Sequence, residues 1–344
     1  MQHSGRVTMK DVAKVADVSV RTVSNVVNDY QFVSDEKRSR VKKAIKDLGY
    51  IVNASARNLR RGRTGNIVLA VPDLTMPYFA DLANQIITEA HKQGFNVLVE
   101  PTLSDSDEES AALARIHANI ADGIIFCPVA SETQTFSRLN LGVPVVILSE
   151  PTSKDTFDHI SIDNEGAAYA ATKYLIDRGC TQIAAIGIRN DQVRDGTASK
   201  RLLGYQRALR DAGLPINEKL ERRTDEWHRS DGARAIRDLL TEGNRIDGAF
   251  AFTDQIAAGV LYELSSRGLN VPKNVAVVGF DNNNESQFFI PSLTTIDPGI
   301  CEIAHRAVQL LNRRIDEQGV QSSRNSSQAI DETVPFSLIR RESA

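Results

Sequence analysis

From Asn66 onward the sequence alternates between short apolar runs and amphipathic segments. The apolar runs include NIVLAVPDL, FNVLVE, DGIIFCPV and VPVVILS, and the rhythm restarts with TQIAAIGI, GAFAFTD and NVAVVGFD. Segments with helical periodicity, such as FADLANQIITEAHKQG and RLLGYQRALRDAGL, separate them. Near-continuous apolar strands separated by helices are typical of parallel sheets covered on both faces. Because the rhythm occurs twice, we expect an α/β region of two lobes, each built on a doubly wound parallel sheet.

The segment before this rhythm predicts three short helices. Thr8 is positioned to cap a helix that begins at Met9, with Asp11 completing a capping arrangement. Ser19 can cap a second helix, and SDEKRSRVKKAIKDLGY is an amphipathic third. Two short helices joined by a few residues form a helix-turn-helix unit, whose second helix enters the major groove of DNA. We therefore expect a small all-α headpiece.

The second helix of this headpiece has one apolar and one polar side. Val23 and Val27 recur four residues apart and are interpreted as core, whereas Arg21, Ser24 and Asn25 return on another side. Residues 1–63 contain 14 Lys and Arg against 6 Asp and Glu, a net charge of +8, and the rest of the chain has a net charge of −11. This asymmetry favours a polyanionic partner, although a solvated basic helix face has the same charge.

Residues 8 to 64 resemble the DNA-binding headpiece of LacI/GalR-family transcription regulators, through TMKDVAKVADVSVRTVSNVVN, VSDEKRSRVKKAIKDLGYIVN and ASARNLRRGRT. The resemblance implies that Val20, Arg21 and Asn25 read bases. Their chemistry agrees, since arginine pairs with guanine, asparagine pairs with adenine and methyl groups contact the thymine methyl. The alternative is that Val20 is core and Arg21 is merely solvated. Hydroxyl groups suit phosphate contacts, which we expect from Ser19, Thr22 and Ser24.

The stretch NASARNLRRGRTGN has the composition of a linker. In the family this segment is a hinge helix that wedges a leucine into the minor groove, which implies this role for Leu59, with Ala56 beside it and Arg57 and Arg60 at the DNA backbone. Val52 departs from the family pattern, which often has proline here, and the loss of that rigid turn predicts a more mobile hinge. The alternative is a flexible tether.

Ligands of doubly wound sheets bind beyond the carboxyl ends of the strands. The resemblance continues to the C-terminal VPFSLIRRES and implies an effector pocket between two lobes akin to periplasmic sugar-binding proteins. Mapped by motif, the predicted effector-binding residues are Tyr78, Phe79, Ser149, Glu150, Arg201, Trp227, Asp254 and Asp281. Aromatic faces, carboxylates and an arginine suit a polyhydroxylated ligand. The alternative for each is a core or turn residue, or a solvated one.

These features predict a sequence-specific transcriptional regulator, namely a repressor that binds a pseudo-palindromic double-stranded DNA operator as a homodimer. A small-molecule effector, foremost a sugar, is expected to control its operator affinity. The first alternative is a regulator that responds to a purine or another metabolite. The less favoured alternative is a sugar-binding protein without DNA function. The sequence contains no GxxxxGK[ST], HExxH or GxSxG motif, so we expect no enzyme activity, no cofactor and no metal site.

The expected domains are a helix-turn-helix domain in residues 1–52, a hinge in 53–65 and an effector-binding and dimerisation domain in 66–344. Within the last, we expect an N-lobe from about 66–162 plus 293–325 and a C-lobe from about 163–292 plus 326–344.

The N-terminal residues lack the long apolar core of a secretory signal, and no run of eighteen apolar residues occurs. We therefore expect a cytoplasmic protein, associated with the nucleoid when it binds its operator. Cys127, Cys180 and Cys301 lie singly in the sequence and are expected to be reduced core thiols.

Overall fold

The computed structural model describes residues 7–27, 30–50, 63–116, 120–129, 141–149, 157–189, 196–320 and 328–344. The chain divides into two compact units, Met1–Arg63 and Thr64–Ala344. This division falls within the segment expected to be a linker. Among the described residues, no helix is both long and apolar enough to cross a lipid bilayer.

The first unit contains three helices, α1 (Met9–Val15), α2 (Val20–Val27) and α3 (Asp35–Leu48). The backbone N–H and the hydroxyl of Thr8 both donate to the Asp11 carboxylate, at 2.8 and 2.7 Å, and fix the start of α1. Gly49 ends α3 with a left-handed φ of 62°, a conformation that glycine adopts without steric cost.

The core of this unit is small and made mainly of valine. The buried side chains include Val12, Val23, Val26, Val41 and Ala44, one or two from each helix. Burial of Val23 and Val26 directs the opposite side of α2 outward, because residues three and four apart share one face of a helix. The predicted helix-turn-helix headpiece is therefore confirmed.

The second unit contains two six-stranded sheets. The first five strands are β1 (Asn66–Val71), β2 (Asn96–Pro101), β3 (Gly123–Phe126), β4 (Val145–Ile147) and β5 (Asp158–Ile162). The others are β6 (Ile183–Ile188), β7 (Glu221–Arg223), β8 (Gly248–Ala251), β9 (Ala276–Phe280), β10 (Thr294–Asp297), β11 (Asp331–Val334) and β12 (Ser337–Ile339). The first sheet has the strand order β11-β5-β4-β3-β1-β2 and the second has the order β12-β10-β9-β8-β6-β7.

Helices connect these strands and cover the sheets. They are α4 (Pro77–Lys92), α5 (Ser106–Arg115), α6 (Asn164–Asp177), α7 (Thr197–Asp211), α8 (Arg229–Thr241), α9 (Asp254–Ser266) and α10 (Ile300–Val320). Short 3-10 helices span Glu218–Leu220 and Asn284–Phe288.

Pairing is parallel almost throughout. In the first sheet Leu69 lies opposite both Val99 and Ile125, and β11 pairs in parallel with β5. The second sheet ends in an antiparallel pair, in which Ile296 of β10 lies opposite Leu338 of β12. The expected architecture of two doubly wound sheets is confirmed, with one antiparallel edge strand in the second.

The expected lobe boundaries are wrong for two strands. Thr294–Asp297, expected in the N-lobe, pairs with β9 in the second sheet. Asp331–Val334, expected in the C-lobe, pairs with β5 in the first sheet. The physical reason is that the chain returns to the first sheet through α10, and the Asp158 carboxylate then holds the backbone N–H of Ile330 at 2.9 Å, directly before β11.

The expectation of three core thiols is also partly wrong. Cys127 and Cys180 are buried, whereas Cys301 is exposed. Cys301 is the second residue of α10, a helix that buries Ile303 and Ala304 instead, so the thiol lies on the solvent side.

Candidate functional site

The second helix of the first unit is held in place at its start by a serine. The Ser19 hydroxyl accepts the backbone N–H of Thr22 at 3.1 Å and lies 2.9 Å from the Thr22 hydroxyl. A side-chain oxygen at this position satisfies an N–H that the first helical turn leaves free. The first residues of the helix, Val20 and Arg21, are both exposed, Val20 to 42%.

Among the predicted DNA-contacting residues, Arg21 and Asn25, four positions apart, lie on the side of α2 away from buried Val23 and Val26. Thr22, Ser24 and Asn25 are half-buried, whereas Ser19, Val20 and Arg21 are exposed. An exposed valine and arginine at the start of a capped helix can reach base edges without disturbing the core. The predicted hinge residues Ala56, Arg57, Leu59 and Arg60 lie outside the described residues.

In the second unit the predicted residue Arg201 lies at the centre of a buried cluster. Its side chain is 5% exposed, and its Nε donates to Asn164 Oδ1 at 3.0 Å. One of its terminal nitrogens donates to the carbonyl of Phe252. The guanidinium carbon lies 3.4 Å from the centre of the Phe280 ring and 5.4 Å from the Trp227 ring. The arginine is thus fixed by two hydrogen bonds and two aromatic faces.

Trp227 is half-buried, and its indole N–H is already used. The Nε1 atom donates to the carbonyl of Gly187 at 2.7 Å. The ring can therefore offer a ligand an apolar face but no hydrogen-bond donor.

Asp281 is buried next to this arginine. It is 4% exposed, and its backbone N–H donates to the carbonyl of Ile296 at 2.8 Å. Burial raises its pKa well above the usual value for an aspartate, Arg201 opposes this shift and Asp254 adds to it. Its Oδ2 atom has no hydrogen-bond partner among the described residues. A buried carboxyl oxygen of this kind requires a hydrogen-bond partner, which a ligand can supply.

Asp254, also predicted to bind the effector, has its oxygens engaged by the protein. The first residue of α9, it is fully buried, and its carboxylate accepts the N–H of Asn283 at 2.8 Å and the hydroxyl of Thr295 at 2.5 Å. These bonds tie the loop after β9 to β10. Asp254 thereby helps to fix the loop that carries Asp281.

Burial raises the pKa of Asp254 to about 7. An acid whose pKa is higher in the folded than in the unfolded protein stabilises the fold fully only below its unfolded-state pKa. This contribution is lost as the pH rises through the folded-state pKa, about 7 for Asp254. We expect the free energy of unfolding in urea to fall between about pH 4 and about pH 7, by at most about 1.4 kcal/mol per pH unit for one proton. Asp254→Asn should flatten this slope. An equal slope in both proteins would show that Asp254 does not titrate in this range.

The first lobe contributes an aromatic pair. Tyr78 and Phe79, in the first turn of α4, pack edge to face with ring centres 5.1 Å apart. Burial raises the pKa of Tyr78, and Cys127 and Asp281 reinforce this shift while Arg201 opposes it. Tyr78 of the first lobe is therefore within electrostatic range of Asp281 and Arg201 of the second.

A second group of α4 also faces the other lobe. Burial raises the pKa of Asp81, and the nearby Glu285 carboxylate raises it further. A hydrogen bond from the backbone N–H of Asn284 opposes part of this shift. Glu285 is itself paired with Arg229 at 2.9 Å. Asp81 of α4 thus lies against the start of the 3-10 helix that follows Asp281.

The remaining predicted residues are less informative. Ser149 is half-buried, and its carbonyl lies 3.2 Å from Nδ1 of His159. Glu150 lies outside the described residues. The sequence prediction missed Asn164 and Phe280, which hold Arg201. Phe280 directly precedes Asp281 in GFDN and could have been inferred, whereas no local pattern marks Asn164.

One surface depression lies elsewhere, lined by Glu221, Arg222, Arg223, Arg234, Ala235 and Asp238. Arg222 is paired with Glu242, and Arg234 is paired with Asp231 at 2.6 Å. Two of its three arginines are therefore already bound to carboxylates of the protein, which argues against an anion site here. Within the described ranges, no three His, Cys, Asp or Glu side chains come together as a metal site.

Comparisons with known proteins match both units. Residues 8–53 match the family described as bacterial regulatory proteins, lacI family, and residues 172–344 match a periplasmic binding protein-like domain. The HTH-type transcriptional repressor PurR of Histophilus somni (strain 129Pt) is 31% identical over 323 residues, which cover 91% of this chain and 93% of that protein.

Two solved structures are similar over nearly the whole chain. A lac repressor dimer bound to operator and the anti-inducer ONPF has 25% identity and a TM-score of 0.80, and the match covers 98% of this chain and 99% of that one. A complex of the transcriptional regulator CelR with cellobiose has 28% identity and a TM-score of 0.72, covering 98% of this chain and 100% of that one.

Proposed function

The chain belongs to the LacI family of DNA-binding transcriptional repressors, and from this premise we propose that it binds a pseudo-palindromic operator as a homodimer and that a sugar controls its operator affinity. The observation that supports operator reading best is the exposed start of α2, where Val20 and Arg21 project from a capped helix in a unit with a net charge of +8. A symmetric dimer presents two such helices to two half-sites about one turn of DNA apart.

A sugar as effector is supported by the chemistry around Arg201. Trp227 offers an apolar ring face whose N–H is already bonded, and such a face suits the C–H side of a sugar ring. Asp281 Oδ2 needs a hydrogen-bond partner, and a hydroxyl group, which both donates and accepts, supplies one. The CelR relative was solved with cellobiose, which agrees with this assignment. Such a repressor acts in the cytoplasm, at the nucleoid when it is bound to its operator.

A purine effector is the competing proposal, because the Tyr78–Phe79 pair near Asp281 could stack a flat base. Thermal unfolding against monosaccharides, disaccharides, sugar phosphates, nucleosides and purine bases separates the two. A ligand at a hundred times its dissociation constant adds about 2.7 kcal/mol of stability. A shift with purines alone would overturn the sugar assignment and leave the DNA-binding proposal intact.

Arg21→Ala is expected to weaken binding to an operator selected from a random duplex pool by about 1 to 3 kcal/mol, because a bidentate contact to guanine is lost. Fluorescence anisotropy on the selected operator and on random DNA measures the effect. The matched control is Lys37→Ala, an exposed cation of α3 that should weaken both DNAs alike and reduce the salt dependence. Equal loss on both DNAs for Arg21→Ala would mean that Arg21 meets only phosphate.

A further inference from the structure

The loop that carries Asp281 has an unusual backbone conformation. Asp281 and Asn282 follow β9 directly, and both have positive φ angles, 115° and 51°. Residues other than glycine seldom adopt this region, because the Cβ atom crowds the neighbouring backbone. Such a conformation persists only where surrounding contacts hold it, and it is common at ligand sites. The structure around Asp281 and Asn282 must therefore supply those contacts.

The side chain of Asn282 is held from both sides. Its Oδ1 accepts a hydrogen bond from Nη2 of Arg341 at 2.7 Å, and its Nδ2 donates to Oδ2 of Asp297 at 3.1 Å. Its backbone N–H donates to the hydroxyl of Thr295 at 3.3 Å. Because arginine only donates and a carboxylate only accepts, these partners fix which way the amide points. Asn282 is thus tied to β10 and to the segment after β12.

Arg341 also holds the rest of the same loop. Its Nη1 donates to the carbonyl of Leu293 at 2.7 Å and to the hydroxyl of Ser286 at 3.2 Å. Its own backbone N–H donates to the hydroxyl of Thr294 at 2.9 Å, which fixes the start of the side chain. One guanidinium therefore joins the beginning, the middle and the end of the loop. A planar fork of donors suits this task, whereas a lysine ammonium is a single point charge.

We propose that Arg341 is a positioning residue of the effector site, which acts through Asn282 to hold Asp281 in place for a ligand. Asp281 directly precedes Asn282, is buried, and has a carboxyl oxygen without a partner among the described residues. A loop that is fixed before binding loses less conformational entropy when the ligand arrives. Arg341 is not among the charges that shift the pKa of Asp281, so we expect it to act through geometry. The proposal rests on the effector binding proposed above.

The test is a double-mutant cycle in the full chain, with Arg341→Ala, Asn282→Gly and the double variant. Glycine is chosen at position 282 because it adopts a positive φ without strain. Each protein is titrated with the compounds of the thermal panel, cellobiose included, well below its melting temperature. We expect each single variant to bind about tenfold more weakly, and the double variant no more weakly than the weaker single one, because all three lose the same contact. Arg341→Lys should recover only part of the affinity.

Hydrogen–deuterium exchange without any ligand reports on the loop itself. We expect exchange in residues 281–293 to accelerate on the order of tenfold in Arg341→Ala and in Asn282→Gly, because both variants release the same end of the loop. Exchange in β8, which has none of these contacts, should stay as it is in the unaltered protein.

The matched control is Arg340→Ala, which removes the neighbouring arginine, an exposed side chain that lies over the Tyr174 ring at 5.4 Å. This variant should exchange and bind as the unaltered protein does. Unchanged loop exchange in a folded Arg341→Ala protein, additive losses in the double variant, or an equal loss in Arg340→Ala would overturn the proposal. If no panel compound bound the unaltered protein, the effector assignment would fail, and the exchange rates would still decide whether Arg341 fixes the loop.

Discussion

Arg314→Ala is expected to lower the free energy of unfolding of the second unit by about 3 to 5 kcal/mol, because it leaves a buried carboxylate without its cation. Nε and Nη2 of Arg314 donate to the two oxygens of Asp158, each at 2.7 Å, and Asp158 is 6% exposed. Nη2 also donates to the carbonyl of Gln328 at 2.9 Å. The variant therefore frees both β5 and the segment that leads into β11.

Urea unfolding measures this effect without the screening that guanidinium salts introduce. The matched control is the neighbouring Arg313→Ala, whose side chain is 60% exposed and pairs with Glu317 at 2.9 Å. An exposed pair of this kind contributes up to about 1 kcal/mol. If both variants lost equally little stability, the Arg314–Asp158 pair would be solvated, and β11 would not depend on it.

The same ion pair explains which part of the fold the sequence could predict. The apolar run NIVLAV predicts a buried strand, and Thr8 and Ser19 mark helix starts, because both patterns are set by near neighbours. The sheet that Asp331–Val334 joins depends on a contact between residues 156 positions apart. No local pattern contains that information, so the lobe boundaries were misjudged.

The candidate effector site likewise contains residues that the sequence could predict and one whose orientation it could not. Arg201, Trp227 and Asp281 come from motifs, and the structure brings Arg201 close to both of the others. The orientation of Asp254 could not be predicted, because it depends on the hydroxyl of Thr295 in the neighbouring strand. A carboxylate after a strand can face a ligand or a loop, and only the three-dimensional partners decide between them.

Arg201→Lys is expected to weaken binding of the stabilising ligand from the thermal panel by about a hundredfold, in keeping with the 2 to 5 kcal/mol lost when a buried, hydrogen-bonded charge is disrupted. Lysine keeps the charge but lacks the planar fork that bonds Asn164 and Phe252 while stacking on Phe280. Displacing the charge also changes the field at Asp281, whose pKa Arg201 lowers.

Titrating the ligand and following both melting temperature and the fluorescence of Trp227, the only tryptophan, reports this loss. The matched control is Arg207→Lys on the same helix, an arginine that pairs with the Glu165 carboxylate and, like Arg201, lies over an aromatic ring, that of Tyr169 at 4.6 Å. Since Arg207 is not among the groups that shift Asp281, its variant should bind the ligand normally. If a folded Arg201→Lys protein binds the ligand normally, the effector site lies elsewhere. If the ligand changes the operator affinity of the unaltered protein and of Arg207→Lys but not that of Arg201→Lys, the effector response depends on Arg201.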